Sequence, residues 1–207
     1  MTDTIEYYFT SISPFAYLGH KTLMDISQKH NIPVEFKPFN IFKVWEQSGS
    51  TPPAERSPIR QRYRLVEIQR IAVFRNVCMN AKPAHFPTDP TLADHCICSL
   101  EQTGSDAASF SQAVGRAVWE QNQQIADEAC LSNILEECGH NAADILASAK
   151  SDEATAKREQ NTMDAIANDA IGAPAYVYHG EVFWGQDRLE QLEQMIASGR
   201  KPFTSDI

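Results

Sequence analysis

Strand-forming residues are confined to the two ends of this chain, and that distribution restricts its fold more than any other feature. At the start, residues 4–10 are dominated by β-branched and aromatic types, among them Ile5, Tyr7, Tyr8 and Phe9. That is the composition of a strand. Ser11 to Pro14 reads as a turn, with Ser13 as a helix N-cap and Pro14 as the first helical residue. Phe15, Leu18, Leu23 and Ile26 then form an apolar stripe at helical spacing, running to about His30. Asn31 and Pro33 break it, and residues 34–39 alternate as a second strand. The unit is β-α-β, which implies a right-handed crossover and two parallel strands.

Between Asn40 and about Ala170 strand signals nearly vanish. Helical patterns occur at about 57–79, 90–103, 106–122, 125–138 and 151–169. The polar, proline-rich stretch 48–53 and the irregular stretch 82–87 read as loops. Strand character returns at 175–178 and 181–184, joined by His179-Gly180, whose glycine suits a two-residue primed turn. A last helix follows, with Asp187 as its expected cap and Leu189, Leu192 and Ile196 on one face.

The expected fold is therefore α/β: a four-stranded mixed sheet with a large all-helical insertion. Neither terminal piece holds enough residues to bury a core alone. Residues 1–40 and 170–207 are expected to form one domain split in sequence, with 41–169 as the inserted helical unit.

Composition limits the partners. The formal net charge is −9, whereas phosphate binding needs a basic stripe, so nucleic acid is not expected. No apolar run approaches a membrane span, and the first residues carry no basic n-region of a signal peptide. The expectation is a cytoplasmic protein. The five cysteines, Cys78, Cys96, Cys98, Cys130 and Cys138, include no Cys-x-x-Cys pair. Cys96 and Cys98 read as small helix residues on different faces, and no coherent metal-ligand set is visible.

Several segments match a known pattern. Residues 9–19, in which Ser13-Pro14-Phe15-Ala16-Tyr17 opens a helix, the Gly172-Ala173-Pro174 loop, and the stretch Val182–Leu189 resemble motifs of the thioredoxin superfamily in its DsbA and kappa-class glutathione transferase branch. The loops at 49–53 and 82–87 are similar to those of bacterial 2-hydroxychromene-2-carboxylate isomerases. The likeness spans nearly the whole chain. It implies a thioredoxin-like fold of the DsbA/kappa type, glutathione as cofactor, a small-molecule substrate, and a role in aromatic-compound degradation. A homodimer is compatible with the resemblance and is argued from nothing else.

The resemblance also assigns roles. Ser13 stands where a redox relative carries its reactive cysteine. A serine cannot form a mixed disulfide, but its hydroxyl and the helix N-terminus behind it suit a bound thiolate. The plain alternative is an N-cap. Pro174, if cis, leaves the Ala173 backbone available to an extended peptide; alternatively it is a turn proline entering an edge strand. Gln186 and Asp187 are assigned to the γ-glutamyl end, a role compatible with capping. The glutathione-binding set is thus Ser13, Pro14, Ala173, Pro174, Gln186 and Asp187, with Ser13 as the catalytic residue. Tyr17, Asn40, Lys43, Lys82 and His85 are substrate-pocket candidates, each with an unremarkable surface or packing alternative. Trp184 reads as packing. Arg60, Arg62 and Arg64 read as a solvated surface.

The implied reaction is reversible addition of a thiolate to a conjugated carbon, rotation about the former double bond, and elimination. A kappa-like transferase or peroxidase shares the same motifs. A thioredoxin-fold binding protein without chemistry is the alternative from another class.

Overall fold

The computed structural model describes residues 3–205; positions 1, 2, 206 and 207, the outer ends of the two terminal pieces, lie outside it. The elements run β1 (Ile5–Phe9), α1 (Pro14–His30), β2 (Val34–Pro38), α2 (Ile41–Ser48), α3 (Pro58–Arg75), α4 (Thr91–Gln102) and α5 (Ala107–Trp119). They continue α6 (Glu128–Glu137), α7 (Ala142–Ala149), α8 (Asp152–Ala167), β3 (Ala175–Tyr178), β4 (Glu181–Trp184) and α9 (Leu189–Ser198). The sheet has the order β2-β1-β3-β4. β1 and β2 are parallel, and the other two pairings are antiparallel. This is the thioredoxin-like mixed sheet read from the sequence, with α2 to α8 between its halves.

Two helices exceed the expectation. Both are eight residues long, too short for a clear periodic stripe. Their caps define them instead. Asn40 accepts from the Phe42 N–H at 3.1 Å, and Gly49 ends α2 at a φ of 69°. Asn141 accepts from the Asp144 N–H to open α7. Helix α3 stops at Arg75, short of the expected 79, because Asn76 turns left-handed and its N–H bonds back to the Ala72 and Val73 carbonyls. The β3–β4 hairpin turns on His179 and Gly180, both at positive φ (52° and 85°), the backbone of a type I′ turn.

Strand β1 is buried on both faces, which explains its near-continuous apolar sequence. Ile5, Tyr7 and Phe9 point into the larger core, shared with α1, α4, α5 and α6. Tyr7 stacks on Phe9 and on Tyr176, with ring centroids 4.3 and 5.3 Å away. Tyr8 points the other way, into a smaller core with Phe39, Val44, Ala165 and Val177. There the buried Lys37 ammonium meets Glu6 at 2.8 Å and Asp164 at 3.2 Å. Burial by itself disfavours that ammonium, but Glu6, the Tyr8 hydroxyl and Glu35 hold its pKa above the ordinary lysine value.

His20, on α1, is buried between Tyr7 and Phe36. Burial pulls its pKa down to about 4, against weaker opposing effects of the Ala108 backbone and Asp106. A histidine with a depressed folded pKa is protonated more readily in the unfolded chain. Its contribution to stability is therefore present above the unfolded value, about 6.5, and is lost as pH falls towards 4. Glu101, whose carboxyl burial pushes up to about 7, titrates over the same range with the opposite sign. The difference between wild type and His20→Gln isolates the histidine. Urea midpoints are expected to fall more steeply between pH 7 and pH 5 in wild type; parallel curves would assign the acid sensitivity elsewhere.

Candidate functional site

The site is built where β1 ends. The chain leaves Phe9, turns at Thr10 to Ile12 and enters α1 at Ser13. Ser13 has extended dihedrals (φ −74°, ψ 120°), and its Oγ accepts from the Ala16 N–H at 3.2 Å. Its carbonyl accepts from the Tyr17 N–H at 3.1 Å. Pro14 has no N–H to satisfy. Among the described residues, the Phe15 N–H and the Ser13 hydroxyl hydrogen find no protein acceptor. Both lie at the positive end of a 17-residue helix, where backbone dipoles favour an anion.

The turn itself is held from the helical region. Asp94 of α4 is fully buried. Its carboxylate accepts from the Ser11 N–H at 2.9 Å, the Ser11 hydroxyl at 2.7 Å and the Thr10 hydroxyl at 3.2 Å. Arg158 of α8 supplies the countercharge through two contacts of 3.1 and 2.9 Å. This fork of charge-assisted bonds fixes the residues immediately before Ser13.

The second wall comes from the far end of the chain. The Ala173–Pro174 peptide is cis, and the Pro174 carbonyl accepts from the Gly185 N–H at 2.8 Å. Gly185 has a φ of 101°, and a Cβ there would sit 2.4 Å from the Asp187 carboxylate, so only glycine fits. Gln186 is buried. Its side-chain and backbone oxygens both accept from Arg75, each at 2.9 Å. Asp187 is exposed and pairs with Arg188 at 2.7 Å. It does not cap the last helix as expected: it lies in a single 3₁₀ turn, Gln186–Arg188, and α9 begins after Arg188 with no side-chain cap.

These two walls face one cleft of about 750 Å³, lined by Ser13, Pro14, Ala173, Gln186 and Asp187. Pro174 is buried behind Ala173. The five pocket candidates do not line the cleft. Tyr17 lies behind α1, where its hydroxyl donates to the Cys78 carbonyl and Glu120. Burial, with Glu120 beside it, raises its pKa to about 12. Asn40 is occupied as the cap of α2, and Lys43 on the outer face of that helix pairs with Glu159 of α8 at 2.6 Å. Lys82 and His85 are exposed, and it is the adjacent Phe86 and Pro87 that reach the cleft.

Other lining residues depart from the sequence reading. Trp184, half exposed, forms part of the wall rather than packing in the core. Arg64 also lines the cleft, as does Arg56. The signal for Arg64 was present: it lies four and seven residues before the buried Ile68 and Ile71 and so shares their face. Phe42 and Trp45 came with the unforeseen α2. No cysteine lines the cleft, and burial raises the thiol pKa of Cys96 and Cys98 to about 12. Among the described residues no helix is long and apolar enough to cross a membrane, and no His/Cys/Asp/Glu group could hold a metal.

Known proteins share this plan. A 2-hydroxychromene-2-carboxylate isomerase from Sphingobium xenophagum is 26% identical over 198 residues, covering 95% of this chain and 99% of the relative. Glutathione S-transferase kappa 1 from Homo sapiens is 22% identical, covering 93% of this chain and 90% of the relative. A solved structure of 2-hydroxychromene-2-carboxylate isomerase superposes with a TM-score of 0.80 at 22% identity, covering 94% of this chain and 95% of that one. The pattern of the DSBA-like thioredoxin domain matches residues 4–197, so the sheet, its helical interruption and the turn at Ser13 together belong to a member of the DSBA-like thioredoxin family.

Proposed function

We propose that this chain is a glutathione-dependent cis–trans isomerase acting on 2-hydroxychromene-2-carboxylate or a similar aromatic-degradation intermediate. The observation that carries the reading is that Ser13 and Phe15, whose hydroxyl hydrogen and N–H meet no acceptor among the described residues, line the same cleft as Ala173 and Asp187. That donor set suits glutathione. Asp187 complements the α-ammonium of a γ-glutamyl group, and the Ala173 backbone is available to the cysteinyl residue. The Ser13 hydroxyl and the end of α1 favour sulfur in its charged form. When bound, glutathione would supply the thiolate for reversible addition to a conjugated carbon. Phe42, Trp45, Phe86 and Trp184 line the rest of the cleft and suit a planar, unsaturated reactant. The S. xenophagum isomerase, similar over nearly its whole length, supports the choice of reaction.

The likeness to glutathione S-transferase kappa 1 favours a second reading, conjugation of electrophiles or peroxide reduction by the same thiolate. Chromene-carboxylate turnover that requires added glutathione, with weaker activity on halonitrobenzenes and peroxides, is the expected result. Equal turnover without glutathione would sink the isomerase reading. Absence of calorimetric glutathione binding would leave a binding protein without this chemistry.

A further inference from the structure

The charges of the cleft are unevenly compensated. Asp187 is matched by Arg188, and Glu67 by Arg70. Arg56 and Arg64 both line the cleft and, among the described residues, neither has a carboxylate partner. Elsewhere partly buried arginines are paired: Arg75 with Glu190, Arg158 with Asp94 and Arg200 with Glu181. Leaving two guanidiniums half-buried and unpaired is costly. Burial, and then the charge of Arg60, draws the Arg56 pKa down; burial, and then Arg56, does the same to Arg64.

Each guanidinium is also oriented. Arg56 lies over the Trp45 ring, 5.9 Å from its centroid, and its Nε donates to the Thr51 carbonyl at 2.8 Å. Arg64 lies over the Phe15 ring at 6.0 Å, one residue beyond the start of α1. Two planar donors beside aromatic surfaces match a ligand that joins a flat apolar body to a planar anion.

We infer that Arg56 and Arg64 form a carboxylate-recognition element that selects an aromatic carboxylate, the reactant that meets the thiol in the function proposed above. The assignment rests on that reading for the reactant's role, but recognition can be tested without turnover. Glutathione has carboxylates of its own, yet it lacks the flat apolar body that Trp45, Phe42 and the neighbouring prolines would cover.

The test is calorimetry with trans-cinnamate, its neutral analogue cinnamamide, and glutathione, on wild type, Arg56→Gln, Arg64→Gln and Arg64→Lys. Wild type is expected to bind cinnamate at least about tenfold more tightly than cinnamamide, the scale of one hydrogen bond to a charged group. Each glutamine variant is expected to erase most of that preference while leaving cinnamamide and glutathione affinities within about twofold, which also shows that the variants fold. Arg64→Lys, which keeps charge but loses the fork, is expected to retain part of it. Equal binding of cinnamate and cinnamamide by wild type would overturn the inference. So would variants that weaken glutathione as much as cinnamate, since the arginines would then hold a glutathione carboxylate. Arginine-dependent cinnamate binding with no glutathione binding would uphold the recognition element and defeat the proposed function instead.

Discussion

Replacing Ser13 with alanine is expected to slow thiolate-dependent turnover by about 100-fold, the scale of removing one hydrogen-bond donor aimed at a reacting anion. Glutathione affinity should change only a few-fold, because the proposed contacts of its peptide ends, at Ala173 and Asp187, are untouched. The bound thiol should titrate at higher pH, followed by the ultraviolet absorbance of the thiolate. The substitution also removes the bond from the Ala16 N–H, so a helix-cap loss of about 1 kcal/mol is expected beside the catalytic effect. Unfolding measurements separate the two. A variant with lowered stability but an unshifted thiol titration would return Ser13 to a structural cap. Ser13→Cys is the complementary change. It places a thiol at the helix N-terminus, a nucleophile able to attack oxidised glutathione, giving a mixed disulfide detectable by mass and releasing one glutathione thiolate.

The largest stability effect is expected at the Asp94–Arg158 pair. Arg158→Met leaves a fully buried carboxylate without its countercharge, at a cost of about 3–5 kcal/mol. The lower end is expected, since Ser11 and Thr10 continue to donate to it. Asp94→Asn removes the charge but keeps the shape. The double variant should therefore be less destabilised than the two single losses added together, a coupling read from a double-mutant cycle in urea. A loss below about 1 kcal/mol for Arg158→Met would mean that the pair is no stronger than an exposed one. Loosening the Thr10–Ser11 turn should also weaken glutathione binding, although neither Asp94 nor Arg158 lines the cleft.

What the sequence made legible follows from which signals are local. The β-α-β opening, the Ser13–Pro14 helix start and the His179–Gly180 turn depend on adjacent residues with strong backbone preferences. All three appear where their residues placed them. The short α2 and α7 were hidden because eight residues show too little periodicity, and their asparagine caps also occur in loops. Asp187 illustrates a different limit. An aspartate before an apolar stripe resembles a cap, but the preceding Gly185, at positive φ, starts the 3₁₀ turn that displaces α9. The cleft was only half legible for a topological reason. Ser13, Pro14, Ala173, Gln186 and Asp187 sit beside recognisable motifs, whereas Trp45, Arg56 and Arg64 reach it through the packing of α2 and α3. Lys43 and Arg64 make the contrast plain. Both are basic residues of helices beside the cleft, and only the face each occupies, fixed by its apolar neighbours, decides which one enters it.

The strand order has a consequence for how the protein is made. β1 lies between β2 and β3; β2 follows within 40 residues, but β3 begins only at Ala175. At a synthesis rate of about 5–20 residues per second, one edge of β1 waits on the order of ten seconds or more for its second neighbour. Throughout that interval the nascent chain carries Ile5, Tyr7, Tyr8 and Phe9 beside unsatisfied backbone groups, the pattern that recruits foreign strands. The helices made meanwhile can cover the side chains of that strand but cannot satisfy its edge. The vulnerable period of this molecule therefore falls during its synthesis, and ends only when β3 has emerged to pair with β1.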